Sequence, residues 1–174
     1  CDFDELREDY WLPAMGNVDL PSLNGEAIWP NNFCLGEIQC ALGTMLLDRI
    51  EEINRLKRKR ALKFIDSCSP YPQLEFHRES STRHNYHLLV GKINDGSRDH
   101  FIRTMAQEHG IQCIVQYYPL YRYDFYKKLG FGEANCPNTD EFFDSMVSFP
   151  FHHTLSEGQL EQIVEATLQT LSKN

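Results

Sequence analysis

The residues best suited to chemistry by type and spacing are the tyrosines of QYYPLYRYDFYKKLGFG. This stretch carries Tyr117, Tyr118, Tyr121, Tyr123 and Tyr126, five of the eight in the chain. Ring faces stack on a sugar or base while phenol hydroxyls hydrogen-bond to it, so such a cluster suits a flat, polar ligand. A surface turn packing its rings on a core has the same composition, and the residues alone leave both readings open. A second candidate lies in WPNNFCLGEIQCALG, where Asn31 and Asn32 stand at the entrance of an apolar-striped helix. An Asn there caps the orphan N–H groups of the first turn. Those same N–H groups and the helix dipole also suit a phosphate, and spacing does not choose between the two roles.

Other chemistries find little support. His84 and His87 are three apart in an expected strand and His152 and His153 are adjacent, so period two turns each pair to opposite faces and disfavours a shared metal ion. There is no G-x-S-x-G nucleophile elbow and no G-x-x-x-x-G-K-[ST] phosphate loop. The six cysteines are scattered without a CxxC pair, which reads as reduced, mostly buried thiols in a cytoplasmic protein.

The elements that must position these groups belong to one domain-sized chain of 174 residues, with 41% hydrophobic and 24% charged content typical of a globular protein. A net charge of −8 argues against a general nucleic-acid or anionic-membrane surface. The one basic run, RLKRKR at 55–60, follows Asp48, Glu51 and Glu52 inside a helical pattern and reads as a solvated helix face. No apolar run is long enough for a membrane span. The chain starts at Cys1 with a weakly periodic segment, so a piece of a longer protein is expected.

From Leu35 to Ile65 apolar residues recur at threes and fours, predicting one long helix that ends before Pro70 and Pro72. Two strands with a polar connection follow, the second over 86–93, then a helix from an N-cap at Ser97 to a stop at Gly110. IQCIVQYY reads as a further strand, YRYDFYKKLGFG as a short helix or turn, NTDEFFDSM as a helix capped at Asn138 or Thr139, and VSFPF as a strand ended by Pro150. The S-x-x-Q box from Ser156 to Gln159 opens a last helix through Leu171. The expected fold class is α/β, more narrowly an α+β small domain: a long connecting helix, then a short, mostly antiparallel sheet covered by helices.

Taken together, NNFCLGEIQCALGTMLLDRIEEI, NYHLLV, GIQCIVQYYPLY and VSFPFHHTLSEGQLEQIVEAT resemble the C-terminal half of the pyridoxal-phosphate sugar aminotransferases of the DegT and StrS type. Order and spacing agree from Asn31 to Leu171. The resemblance implies a fold-type I enzyme in three pieces here: a remnant of the large cofactor domain over 1–33, the long connecting helix over 34–68 and the small C-terminal domain over 69–174. It also implies partners, namely an N-terminal large domain, a second copy in a homodimer and a nucleotide-linked keto sugar.

By the same resemblance Asn32 falls on the motif Asn that reaches the pyridoxal 5'-phosphate of the neighbouring subunit. Cys34 stands where the family has Arg, which removes a cation suited to a substrate anion. Gln116 replaces a His, and Tyr121 replaces the His that closes P-L-H, so sugar contacts are expected to be rebuilt around amide and phenol groups. Tyr117, Tyr118, Tyr121 and Cys34 are the expected substrate contacts. The lysine that carries the cofactor, and the acidic partner of its ring nitrogen, lie upstream in the family. The expected activity of the complete protein is amino transfer from glutamate or glutamine, with this chain inert alone. The alternatives are a stand-alone ligand-binding or interaction domain and a dehydratase using the same cofactor.

Overall fold

A computed structural model describes residues 35–77 and 84–173. Two helices come first, α1 over Glu37–Leu47 and α2 over Ile50–Cys68. Strand β1 is Leu74–Phe76 and β2 is Leu89–Ile93, followed by α3 over Arg98–His109. A single 3-10 turn at Leu120–Arg122 leads into α4, Asp124–Lys128, then α5 at Pro137–Ser145, β3 at Met146–Phe149 and α6 at Glu157–Ser172.

The one long helix expected over 34–68 is instead two. At Arg49 the backbone turns to φ −111° and ψ −1°, and its N–H bonds back to Leu46. The ladder breaks between two segments with different surroundings. Helix α1 has no buried residue, and Ile38, Leu42 and Met45 are exposed. Helix α2 buries Ala61, Phe64, Ile65 and Cys68, the spacing of one helix face. Apolar periodicity continues through the break, so the pattern gave no warning of it.

The sheet is antiparallel in the order β1-β2-β3, with Phe76 opposite Gly91 and Gly91 opposite Val147. Gly91 is needed for space: a Cβ there would lie 2.7 Å from Leu74 Cδ1 and 3.1 Å from the Phe76 ring. All four β3 residues are buried, and Phe149 meets Phe64 of α2 at 5.0 Å and Phe101 of α3 at 6.0 Å between ring centroids. Helices α2 and α3 both pack on α6, so helices and sheet enclose one core.

Local capping follows the sequence at two ends. Ser156 and Gln159 form a reciprocal capping box at α6, and Gly110 closes α3 in the left-handed region at φ +66°. Elsewhere it differs. Residues 111–118 do not form a strand; among the described residues their only ladder contact is an Ile114 bridge to Ser148. Ile111, Cys113 and Val115 are buried in alternation, which imitates strand periodicity in a segment that joins no ladder beyond that bridge. The α5 cap falls at Cys136, because Pro137, with its preset φ and no N–H, takes the first helical position. His84 and His87 lie in the loop before β2, where His84 Nδ1 accepts the Tyr86 N–H at 2.9 Å.

The basic run is also more than a solvated face. Arg60 donates to the His153 carbonyl and pairs with Glu157 at 3.5 Å, while Lys57 donates to the His87 carbonyl at 3.1 Å. Two of its cations therefore tie α2 to the loops that lead into β2 and α6.

Candidate functional site

The tyrosine-rich segment starts from a fixed point on β3. Ile114 and Ser148 exchange backbone hydrogen bonds at 3.0 and 2.8 Å, and the Ser148 hydroxyl donates to the Gln116 side-chain oxygen at 3.2 Å. The chain then leaves the core. Tyr117 is 60% exposed, whereas Tyr118 turns inward and packs edge-on against Phe143 at 5.5 Å and Tyr123 at 4.9 Å.

The 3-10 turn and α4 fold back to form a recess of about 310 Å³ lined by Leu120, Tyr121, Tyr126 and Phe131. Phe125 is buried beneath it and meets Tyr126 edge-on at 5.3 Å. Leu120 and Phe131 are exposed at the rim. Such a wall offers ring faces and aliphatic carbon, the surface on which the C–H face of a sugar or a base settles.

Helix α5 holds this segment in place. The Asp140 carboxylate accepts both the Tyr121 hydroxyl and the Arg122 guanidinium, and Arg122 reaches Asp144 at 3.4 Å while lying over the Phe143 ring at 5.3 Å. The hydrogen bond to Asp140 holds the Tyr121 phenol above its ordinary value. That same bond, reinforced by Arg122, holds Asp140 below the usual carboxylate range. Burial raises the Tyr123 phenol.

Of the residues expected to touch substrate, Tyr117, Tyr118 and Tyr121 are brought within one segment but to different places. Tyr117 points to solvent, Tyr118 supports the segment from below, and Tyr121 gives its ring to the recess and its hydroxyl to Asp140. Asn32 and Cys34 lie outside the described residues. Sequence reasoning missed Asp140 and Arg122: NTDEFFDSM and YRYDFY carry charges and rings, but nothing in their spacing joins the two stretches.

A second, polar recess of about 480 Å³ lies between α2 and the loop before β2, lined by Glu51, Asn54, Arg55, Arg58, His84 and Asn85. It mixes both charge signs and does not join the aromatic one.

The described residues do not by themselves fit pyridoxal phosphate. Lys63, Lys92, Lys127 and Lys173 are paired with Glu161, Glu141, Asp124 and Glu108, and no lysine lines either recess. A covalent anchor for that cofactor is therefore absent from the described recesses.

Comparison with known proteins gives the arrangement its context. UDP-4-amino-4,6-dideoxy-N-acetyl-beta-L-altrosamine transaminase of Campylobacter jejuni subsp. jejuni serotype O:2 is 28% identical over 148 residues, 82% of this chain and 38% of that protein. The structure of PseC from Helicobacter pylori, an aminotransferase involved in the biosynthesis of pseudoaminic acid, superposes with a TM-score of 0.72 at 23% identity, covering 98% of this chain and 45% of that one. Spr1654 from Streptococcus pneumoniae, in its PLP-form, gives a TM-score of 0.68 at 25% identity over 79% of this chain and 36% of that one. The chain thus spans a little over a third of the length of the curated relatives it matches, 35% and 38% in two cases. A family model matches residues 17–168, which include helices α1 and α2, the sheet and the aromatic segment. On that match, the chain belongs to the DegT/DnrJ/EryC1/StrS aminotransferase family.

Proposed function

We propose that this chain is the C-terminal part of a pyridoxal-phosphate-dependent aminotransferase that moves an amino group from glutamate or glutamine to a nucleotide-linked keto sugar. The observation that carries the reading is the family match over residues 17–168, in a fold shared with sugar aminotransferases. The printed activity of the Campylobacter relative, a transaminase of a UDP-linked amino sugar, supports the substrate class. Pyridoxal phosphate is the cofactor of the family, and the PLP-form neighbour supports it here.

In this reading the parts divide as follows. An N-terminal large domain supplies the lysine and the acidic partner of the cofactor. The chain described here supplies the connector and the small domain, whose aromatic segment faces substrate. Asn32 reaches the cofactor phosphate of the second subunit in a homodimer, at the start of a helix whose free N–H groups favour an anion. Cys34 stands where a substrate anion would meet Arg in other members, so a sugar without a carboxylate is the better fit. The protein works in the cytoplasm, where such sugars are made, and among the described residues no helix is long and apolar enough to cross a membrane.

The test is made on the full-length parent. Incubated with pyridoxal phosphate, glutamate and a UDP-linked 4-keto-6-deoxyhexose, it is expected to yield the amino sugar, detected by mass. Conversion of none of a panel of nucleotide-linked keto sugars would return the chain to the class of binding modules. The 174-residue chain alone is expected to develop no near-visible band of lysine-bound cofactor.

A further inference from the structure

We infer that Asp140 is the positioning residue of the aromatic recess, fixing the Tyr121 ring and the Arg122 guanidinium and so setting the fit of substrate in the parent enzyme. This rests on the proposed aminotransferase reading and adds to it a residue far in sequence from the segment it controls.

The geometry is specific. Asp140 is the fourth residue of α5, and its carboxylate accepts from the hydroxyl of Tyr121 and from the guanidinium of Arg122, two neighbours in the 3-10 turn. Tyr121 is one of four walls of the recess, so the direction of its hydroxyl decides where its ring stands. A phenol without that acceptor has two free torsions and can swing its ring across the opening. Arg122 is held a second time by Asp144 and by the Phe143 face, both one turn further along α5.

Helix α5 is itself firmly seated. Its C-terminal end is bound by the buried Arg98, which donates to the carbonyls of Phe143 and Met146 at 3.0 and 3.1 Å. The carboxylate that orients Tyr121 therefore projects from a fixed platform. The Tyr121 hydroxyl, being already committed to Asp140, acts through its ring placement rather than as a donor to the ligand.

The experiment uses the full-length parent loaded with pyridoxal phosphate, with glutamate as donor and a UDP-linked 4-keto-6-deoxyhexose as acceptor. Asp140→Ala is expected to raise KM for the sugar nucleotide by about tenfold or more while leaving KM for glutamate and the cofactor affinity as they were, since loss of orientation costs binding locally. Asp140→Asn, which keeps an acceptor oxygen, is expected to recover most of that loss. Tyr121→Phe combined with Asp140→Ala is expected to be no worse than Asp140→Ala alone, because both changes remove one interaction.

A rise in KM for both substrates alike, or full additivity of the two changes, would overturn the inference. A readout free of turnover separates it from the activity reading: the tyrosinate absorbance of wild type minus that of Tyr121→Phe. If Tyr121 titrates at its ordinary value, the clamp is not formed and the inference falls whatever the activity. If the titration is shifted but no keto sugar is converted, the clamp stands as structure, and the aminotransferase reading falls together with the substrate role given to Asp140.

Discussion

Arg98, at the first position of α3, donates through Nη1 to the carbonyl oxygen of Met146, 48 residues further along the chain, at 3.1 Å. The same nitrogen reaches the Phe143 carbonyl at 3.0 Å, and Nε pairs with Asp99 at 2.5 Å. With only 2% of the side chain exposed, this is a buried cation satisfied on several sides.

Replacing Arg98 by Met should therefore leave two carbonyls at the end of α5 without their donor. The loss is expected to be about 3 kcal/mol, read from urea unfolding of the chain. An unchanged midpoint with an unchanged slope would show that the α5 end is held by other means.

The Tyr121–Asp140 bond should define a pH window. Asp140 has a folded value below its ordinary 3.8, so its share of stability is fully present above 3.8 and is lost as pH falls through that lower value. Tyr121 has a folded value above its ordinary 10.0, so its share is fully present below 10.0 and is lost as pH rises through the higher value. Near-ultraviolet circular dichroism of the tyrosines is expected to stay level between these limits and change outside them, and Asp140→Asn should remove the acid limb.

Thiol reactivity should divide the described cysteines. Burial pushes the Cys68 thiol up to about 12 and raises that of Cys113 further, whereas Cys40 is exposed on α1. A disulfide reagent such as DTNB is expected to modify Cys40 within minutes and to reach Cys68 and Cys113 only on unfolding. Fast labelling of Cys113 would mean that the 111–118 segment opens readily. The expectation that the thiols are mostly buried thus holds for Cys68 and Cys113, in part for the half-buried Cys136, and not for Cys40.

The apolar side chains of α1 should make the chain sticky when it is alone. Ile38, Leu42, Met45 and Leu46 are all exposed. The isolated chain is expected to enhance the fluorescence of a hydrophobic dye, and Leu42→Glu with Met45→Glu to cut that signal severalfold. A dye-silent wild-type chain would place the apolar contact elsewhere.

What was legible in the sequence was local. The last helix could be read because its period and its S-x-x-Q box lie within a few residues, and α3 because Gly110 permits the left-handed cap. The misreadings share a different cause. The strand over 111–118 carries strand-like burial but meets β3 only at Ile114, and pairing partners leave no mark on a single segment. The break at Arg49 lies under an apolar pattern that does not pause. The Asp140 clamp joins residues 18 and 19 positions apart, on a helix whose charged face looks like any solvated one. The tyrosine stretch stands out by composition, yet which ring turns inward is decided by Phe143 and Asp140, outside it.

The joint at Asp48–Arg49 also says where this protein can be cut and transplanted. Among the described residues every buried side chain lies at Ala61 or later, so a chain opening at Ile50 keeps all of them and, of the described residues, leaves out the exposed stretch 35–49. The part from Ile50 onward is in that sense a cassette: grafted behind the arm of another family member, it would bring its own aromatic recess and its own clamp, while position 34 would stay with the host.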